Sequence, residues 1–140
     1  MKRSHPISKI GLYVSEFGDL TPSDSVFLTL CRTECDMLIV LMPTDYSLRL
    51  QKKKSAYSTD ERSFRVGSLT VVNFVSHYDE ESPSLGIDKI NPDFIFYGRN
   101  PYDIEEYSEI LQKDKLRKID YPWGEESSGH FFQIPSELTK

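Results

Sequence analysis

The stretch "KIGLYVSEFGDLTPSDSVFLTL", Lys9–Leu30, decides the fold class of this chain. Its first part, "KIGLYV", is a short apolar run typical of a strand that is buried on both faces. Its last part has apolar residues at helical spacing after "TPSD", Thr21–Asp24, which joins a favoured N-cap residue to a proline suited to the first helical position. The stretch therefore predicts a strand, a turn and a helix, the opening unit of an α/β sheet.

Apolar runs and helix-like segments alternate through the rest of the chain. Strands are predicted at Lys9–Val14, Asp36–Met42, Thr70–Ser76, Asp93–Gly98 and Lys115–Tyr121, and helices at Thr21–Glu34, Thr59–Leu69, Pro83–Ile90 and Ile104–Gln112. Such alternation implies right-handed crossovers between parallel strands. We predict an α/β fold with a Rossmann-like, doubly wound, five-stranded parallel sheet, in a single domain over residues 1–140 whose core covers about 9–134.

Composition argues against two classes of partner. The chain has 17 Lys and Arg against 22 Asp and Glu, a net charge of −5 and a pI near 5.2, whereas binding to nucleic acid needs basic surface. No apolar run approaches the roughly 18 residues of a membrane span, and "MKRSHPISK" at the N-terminus leads into a strand. We expect a cytoplasmic protein that binds neither nucleic acid nor membrane.

The two cysteines, Cys31 and Cys35, are four residues apart at the C-terminal end of one predicted helix, a spacing that places them on one face. A disulfide there would constrain little, and a metal site would need more ligands than the surrounding sequence offers. Packing in the core is the favoured interpretation, and no metal site is predicted.

A long block in the middle of the chain carries a family resemblance. The block "PTDYSLRLQKKKSAYSTDERSFRV", Pro43–Val66, resembles the glycerol-3-phosphate cytidylyltransferases, with these residues on identities of that family: Thr44, Asp45, Lys53, Lys54 and Arg62. The same register extends without a gap over Lys9–Tyr97. The resemblance implies a nucleotidyltransferase-like fold and homodimers. It also implies attack by a phosphomonoester oxygen on the α-phosphate of CTP, with Mg²⁺ accompanying the nucleotide and pyrophosphate leaving.

The signature motif of that family is degenerate here. The family's first turn reads His-x-Gly-His, and "TPSD" occupies it, so that Thr21 and Asp24 replace the histidines and Ser23 replaces the glycine. Imidazoles at a helix N-terminus stabilise charge that moves onto the phosphates, whereas an aspartate repels it. We predict that the turn has become a helix cap, with Thr21 as N-cap and Asp24 pointing back toward it.

The resemblance implies a remaining set of nucleotide- or phosphate-binding residues: Asp45, Lys53, Arg62, Ser127 and Ser128. The two serines fall on hydroxyls of a later family motif whose arginine is missing. The family's loop brings its lysines over the triphosphate, while the arginine approaches from the side of the crevice. A double replacement of Lys53 and Arg62 is accordingly expected to abolish binding and leave the fold intact.

Weaker candidates are two histidines and the tryptophan. His77 follows the third predicted strand and is a candidate replacement for a lost acid, and His130 follows "ESSG" near the same crevice. Trp123 is a candidate for stacking on a base. Surface or packing roles are the alternative for all three, and the aromatic second half of the chain is consistent with a subunit contact.

Three functions remain open at this point. The first is a nucleotidyltransferase-fold protein that has lost catalysis and acts as a nucleotide- or phosphate-binding or assembly module. The second is a divergent, active cytidylyltransferase that uses CTP and a small phosphomonoester such as glycerol 3-phosphate. The third is a structural protein with no ligand in the crevice. Loss of the histidines favours the first.

Overall fold

The computed structural model of the chain describes residues 8–98 and 113–120. The strands are β1 (Ile10–Val14), β2 (Met37–Pro43), β3 (Phe74–Tyr78), β4 (Phe94–Tyr97) and β5 (Leu116–Lys118). The helices are α1 (Pro22–Thr33), α2 (Asp45–Leu50), α3 (Thr59–Gly67) and α4 (Ser84–Ile90), with a 3₁₀ turn at Lys113–Lys115. The predicted helix at Ile104–Gln112 lies outside the described residues.

All five strands are parallel and form one sheet in the order β3-β2-β1-β4-β5. The predicted α/β class and parallel sheet are therefore confirmed. The chain first builds outward from β1 to β3, and then returns to the other side of β1 with β4. Sheets of this kind bind ligands beyond the carboxyl ends of the strands at the point where the order reverses, which here lies between β1 and β4.

Two elements differ most from the sequence prediction, and β5 covers only Leu116–Lys118 where a strand was predicted at Lys115–Tyr121. The third strand begins at Phe74 and not at Thr70, because Asn73 ends the preceding loop by pairing with the start of β2. The Asn73 backbone N–H donates to the Leu38 carbonyl over 2.9 Å, and the Asn73 side chain accepts from the Leu38 N–H over 2.8 Å. Helix α2 was not predicted, because six residues are too few to show a helical period.

The sheet is covered on both faces by helices, and alternate residues of β2 enter two separate cores. The core on the α1 and α3 face contains Leu38, Val40 and Met42, whereas the core on the α4 face contains Leu41. This explains the continuous apolar run of β2, since each of its residues meets a helix layer or a neighbouring strand. Among the described residues, no helix combines the length and hydrophobicity that crossing a bilayer requires.

Both cysteines pack in the core on the α1 and α3 face as free thiols, which confirms the packing interpretation. Burial raises the pKa of Cys31 and of Cys35 above the ordinary value, so both stay protonated and unreactive. Within residues 8–98 and 113–120, no group of three or more metal-ligating side chains forms a metal site. On α3, Phe64 is 79% exposed although it is apolar, and the buried positions of that helix are Arg62 and Val66.

Candidate functional site

The turn between β1 and α1 closes the N-terminus of α1 with a reciprocal cap. The Thr21 hydroxyl oxygen accepts from the Asp24 backbone N–H over 3.2 Å, and Asp24 Oδ2 accepts from the Thr21 backbone N–H over 2.9 Å. The Thr21 hydroxyl also donates to Asp24 Oδ2 over 3.1 Å. The predicted N-cap and capping box are confirmed, with Pro22 in the first turn. A carboxylate thus lies where a helix N-terminus would otherwise attract a phosphate.

The same turn contains a backbone in the left-handed region. Phe17 has φ 47° although it is not glycine, and its side chain is buried in the core, with its ring centroid 5.9 Å from that of Tyr13. A non-glycine residue in this region costs about 1–2 kcal/mol, so surrounding contacts must hold it. The packing of the Phe17 ring is one such contact. A hydrogen bond from Arg62 to the carbonyl of the preceding residue, Glu16, is another.

That second contact is Arg62, a fully buried arginine on α3. Its Nη1 donates over 3.0 Å to the carbonyls of Glu16 and Pro43, which follow β1 and end β2. Its Nε donates to the Tyr57 carbonyl over 3.2 Å, and its Nη2 donates to Asp45 Oδ1 over 3.1 Å. The guanidinium therefore ties together the carboxyl ends of two strands and the segment that joins α2 to α3.

Asp45 completes this connection. Its Oδ2 accepts from the Thr59 backbone N–H over 3.1 Å, and the Thr59 hydroxyl accepts from the Asp45 backbone N–H over 2.8 Å. The Thr59 N–H and the Arg62 guanidinium hold the pKa of the Asp45 carboxyl below its usual range. Asp45 is ionised at neutral pH and links the first turns of α2 and α3.

The basic loop leaves α2 through a sharp reversal. The Lys52 N–H donates to the Arg49 carbonyl over 3.0 Å and the Lys53 N–H donates to the Leu48 carbonyl over 2.8 Å, with Lys52 at φ 60°. This pair of bonds is a Schellman motif. It turns the chain back toward β1, where Lys53 Nζ lies 2.7 Å from Glu16 Oε1. Lys52 and Lys54 are exposed.

The structure brings together part of the predicted site. Lys53, Arg62 and Asp45 meet around the Glu16 turn, as described above. Thr21, Ser23 and Asp24 lie a few residues further along that turn, at the start of α1, and Ser23 is buried. Ser127, Ser128, His130 and Trp123 lie outside the described residues.

His77 lies on the outer strand β3, away from the reversal of strand order. Its Nε2 is hydrogen-bonded to the Ser63 hydroxyl, which also lies 2.7 Å from the Thr59 carbonyl. Which of Ser63 and His77 donates depends on the His77 tautomer, so we assign the pair no chemical role.

Sequence reasoning missed Glu16 as a site residue. It lies two residues beyond β1, and its carboxylate pairs with the lysine loop while its carbonyl binds Arg62. Its only sequence signal is an acid just past the carboxyl end of the first strand, where ligands of such sheets bind.

No protein-family model matches the chain. The chain is 33% identical over 92 residues to the bifunctional protein HldE of Rhodopseudomonas palustris (strain BisA53), covering 64% of this chain and 19% of that protein. It is 31% identical over 107 residues to HldE of Blochmanniella pennsylvanica (strain BPEN), covering 73% and 22%. The chain thus spans about a fifth of the length of these curated relatives.

Among solved structures, the fold is similar to that of a lipopolysaccharide core biosynthesis protein from Thermoplasma volcanium GSS1. The TM-score is 0.66 at 20% identity, with 79% of this chain and 95% of that chain covered. The likeness shows the fold, an α/β arrangement of helices around a five-stranded parallel sheet. Together with the two relatives, it supports a nucleotidyltransferase-like family, while the resemblance to glycerol-3-phosphate cytidylyltransferases stays a prediction.

Proposed function

We propose that this protein is a nucleotidyltransferase-like protein that has lost catalysis and acts as a weak nucleotide- or phosphate-binding or assembly module. The observation that carries the proposal is the reciprocal cap between Thr21 and Asp24 at the N-terminus of α1. Nucleotidyl transfer depends on positioning and on stabilising charge that develops on the phosphates. The Asp24 carboxylate at the N-terminus of α1 opposes both the positioning of phosphates there and the stabilisation of their charge.

Weak binding is retained in the proposal because of the lysine loop. Lys52, Lys53 and Lys54 place three cations in one loop, and Lys53 faces the turn after β1. Arg62 and Asp45 belong to the proposed site through the backbone that they hold, and Ser127 and Ser128 are its proposed hydroxyl donors. Asp24 and Glu16 oppose an anion, so binding is expected to be weak and sensitive to salt.

The catalytic part of the proposal is tested by pyrophosphate release. The protein is incubated with CTP or ATP, Mg²⁺ and glycerol 3-phosphate, and no sustained turnover is expected. Sustained release that disappears in Lys53→Ala would establish a divergent, active cytidylyltransferase instead.

The binding part is tested by thermal denaturation and calorimetry with CTP at low ionic strength. A ligand at 100 times its Kd stabilises the native state by about 2.7 kcal/mol, so even weak binding raises the Tm. Lys53→Ala is expected to reduce the Tm shift, and Lys89→Ala, which removes an exposed lysine of α4 outside the lysine loop, is the matched control.

A variant with the His-x-Gly-His motif reintroduced tests whether CTP binding is weak because the motif has changed or because the crevice itself no longer binds a nucleotide. Thr21→His with Ser23→Gly and Asp24→His replaces the cap by the motif that the resemblance implies, and CTP binding is expected to tighten. If the restored variant folds and binds CTP no better than the natural protein, the crevice takes no nucleotide and a structural role is favoured.

The assembly part of the proposal includes a homodimer in the cytoplasm. Tyr46 and Leu50, four residues apart on α2, are 54% and 43% exposed and share one face of that helix. Sedimentation velocity over a range of protein concentrations tests the dimer. If the protein is a monomer at all concentrations, the proposed homodimer is wrong.

A further inference from the structure

We infer that Glu16 is an internal competitor for anions at the lysine loop: its carboxylate occupies Lys53, and a phosphate group must displace it to bind there. This inference rests on the proposed function, since it names the regulation of the same site and the class of ligand that fits it. It starts from the pair between Lys53 Nζ and Glu16 Oε1, 2.7 Å apart.

The Glu16 backbone is anchored from inside the protein. Its carbonyl accepts from Arg62, which is fully buried, and the next residue, Phe17, is held at φ 47° by its burial in the core. These contacts fix the peptide between Glu16 and Phe17 and hence the position of the Glu16 Cα. With the backbone held, the position of the Glu16 carboxylate depends only on rotation about its own side-chain bonds.

The Lys53 backbone is anchored as well. Its N–H closes the Schellman motif at the end of α2 by donating to the Leu48 carbonyl over 2.8 Å. The loop after it lies against the same turn, because a Cβ added to Gly18 would lie 3.9 Å from the Ser55 hydroxyl. Both ends of the ion pair therefore start from fixed backbone, so forming the pair orders only the two side chains.

The pair is nevertheless open to solvent. The side chains of Lys53 and Glu16 are 48% and 43% exposed, so an anion from solution reaches the ammonium without unfolding the turn. A singly charged phosphodiester offers Lys53 no more charge than the carboxylate already does. A group with several negative charges interacts with Lys52, Lys53 and Lys54 at once, so the favoured ligand class is a di- or triphosphate.

The first measurement is calorimetric titration with inorganic pyrophosphate at low ionic strength. Glu16→Gln is expected to tighten binding by about two- to fivefold, the range that an exposed ion pair supports. Asp19→Asn, which removes an exposed charge from the same turn, is the matched control and is expected to have a smaller effect. In a Lys53→Ala background, Glu16→Gln is expected to lose its additional effect.

The second measurement needs no ligand. Lysines are acetylated briefly with an N-hydroxysuccinimide ester and quantified by peptide mass spectrometry. The Glu16 carboxylate accepts a hydrogen bond from the Lys53 amine and partly covers it. Glu16→Gln is therefore expected to increase the labelling of Lys53 at least twofold relative to that of Lys52 and Lys54.

The outcomes separate this inference from the proposed function. Equal effects of Glu16→Gln and Asp19→Asn, an effect that persists without Lys53, or unchanged Lys53 labelling would each overturn the inference, even if the natural protein binds CTP. Failure of Glu16→Gln to bind pyrophosphate would overturn it too. If the natural protein binds no CTP but Glu16→Gln gains pyrophosphate binding, the proposed function fails and the competitor role of Glu16 stands.

Discussion

Arg62, which the family resemblance suggests as a phosphate-binding residue, makes hydrogen bonds that hold the fold together. It is fully buried on α3, and its guanidinium donates to the carbonyls of Glu16, Pro43 and Tyr57 and to the Asp45 carboxylate. Carbonyls that lose a buried donor carry a desolvation cost of about 1–3 kcal/mol each. The double replacement of Lys53 and Arg62 would thus change stability as well as any binding.

The corresponding prediction is that Arg62→Ala lowers the free energy of unfolding by about 3 kcal/mol, measured by urea denaturation. Arg65→Ala, three residues further along the same helix, removes a contact over the Tyr57 ring at 4.3 Å and a cation in the last turn, and is expected to cost less than about 1 kcal/mol. Equal losses in the two variants would mean that the Arg62 hydrogen bonds contribute little to stability.

At the scale of elements, the start of α1 and the end of α2 are each closed by local hydrogen bonds. For α1, Thr21→Ala removes the hydroxyl that caps the Asp24 N–H, and we predict a loss of about 0.5–2 kcal/mol in the free energy of unfolding. The control is Thr29→Ala in the exposed middle of α1, where alanine is the better helix former. A loss in Thr29→Ala as large as that in Thr21→Ala would contradict the cap.

For α2, Lys52→Gly is predicted to raise the free energy of unfolding by about 0.5–1 kcal/mol. Lys52 has φ 60° in the position after the helix where glycine is preferred, because glycine has no Cβ to clash in this region. Lys54→Gly, in the same loop and outside the left-handed region, is the control and is expected to be neutral or destabilising. Thermal and urea unfolding of both variants check the prediction, which fails if Lys52→Gly is the less stable.

At the scale of the whole molecule, Phe96 on β4 and Cys35, just after α1, lie so close to β1 that only glycine fits at position 11. A Cβ at Gly11 on β1 would lie 2.8 Å from both Cys35 Sγ and Phe96 Cζ. We predict that Gly11→Ala lowers the free energy of unfolding by about 1–3 kcal/mol, because both neighbours are buried and cannot move away freely.

Gly67→Ala is the matched control for this packing argument. A Cβ there would lie 3.6 Å from a Val75 methyl, an ordinary contact, so the variant is expected to be neutral or slightly stabilising at the end of α3. Calorimetric unfolding of both variants measures the difference. A Gly11→Ala protein as stable as the natural one would show that Phe96 and Cys35 pack less tightly against β1 than the structure indicates.

The sequence by itself determined the features that depend on neighbours along the chain. Apolar runs and helical spacing predicted the parallel α/β sheet, because burial on both faces leaves a continuous apolar strand. "TPSD" predicted the cap of α1, because Thr21 and Asp24 are three residues apart and meet in any helix that begins there. Helix α2 escaped prediction, since a single short turn of helix has no measurable period.

Only the tertiary structure decided the strand order and the partners of the site residues. Arg62 meets the Glu16 carbonyl across 46 positions of sequence, and Lys53 meets the Glu16 carboxylate across 37. No local periodicity encodes such pairs, because they form only when β1, β2 and the segment from α2 to α3 come together at one edge of the sheet. The residue types of the basic block were therefore readable from the sequence, but whether each charge faces a ligand, a carbonyl or another side chain depended on the fold.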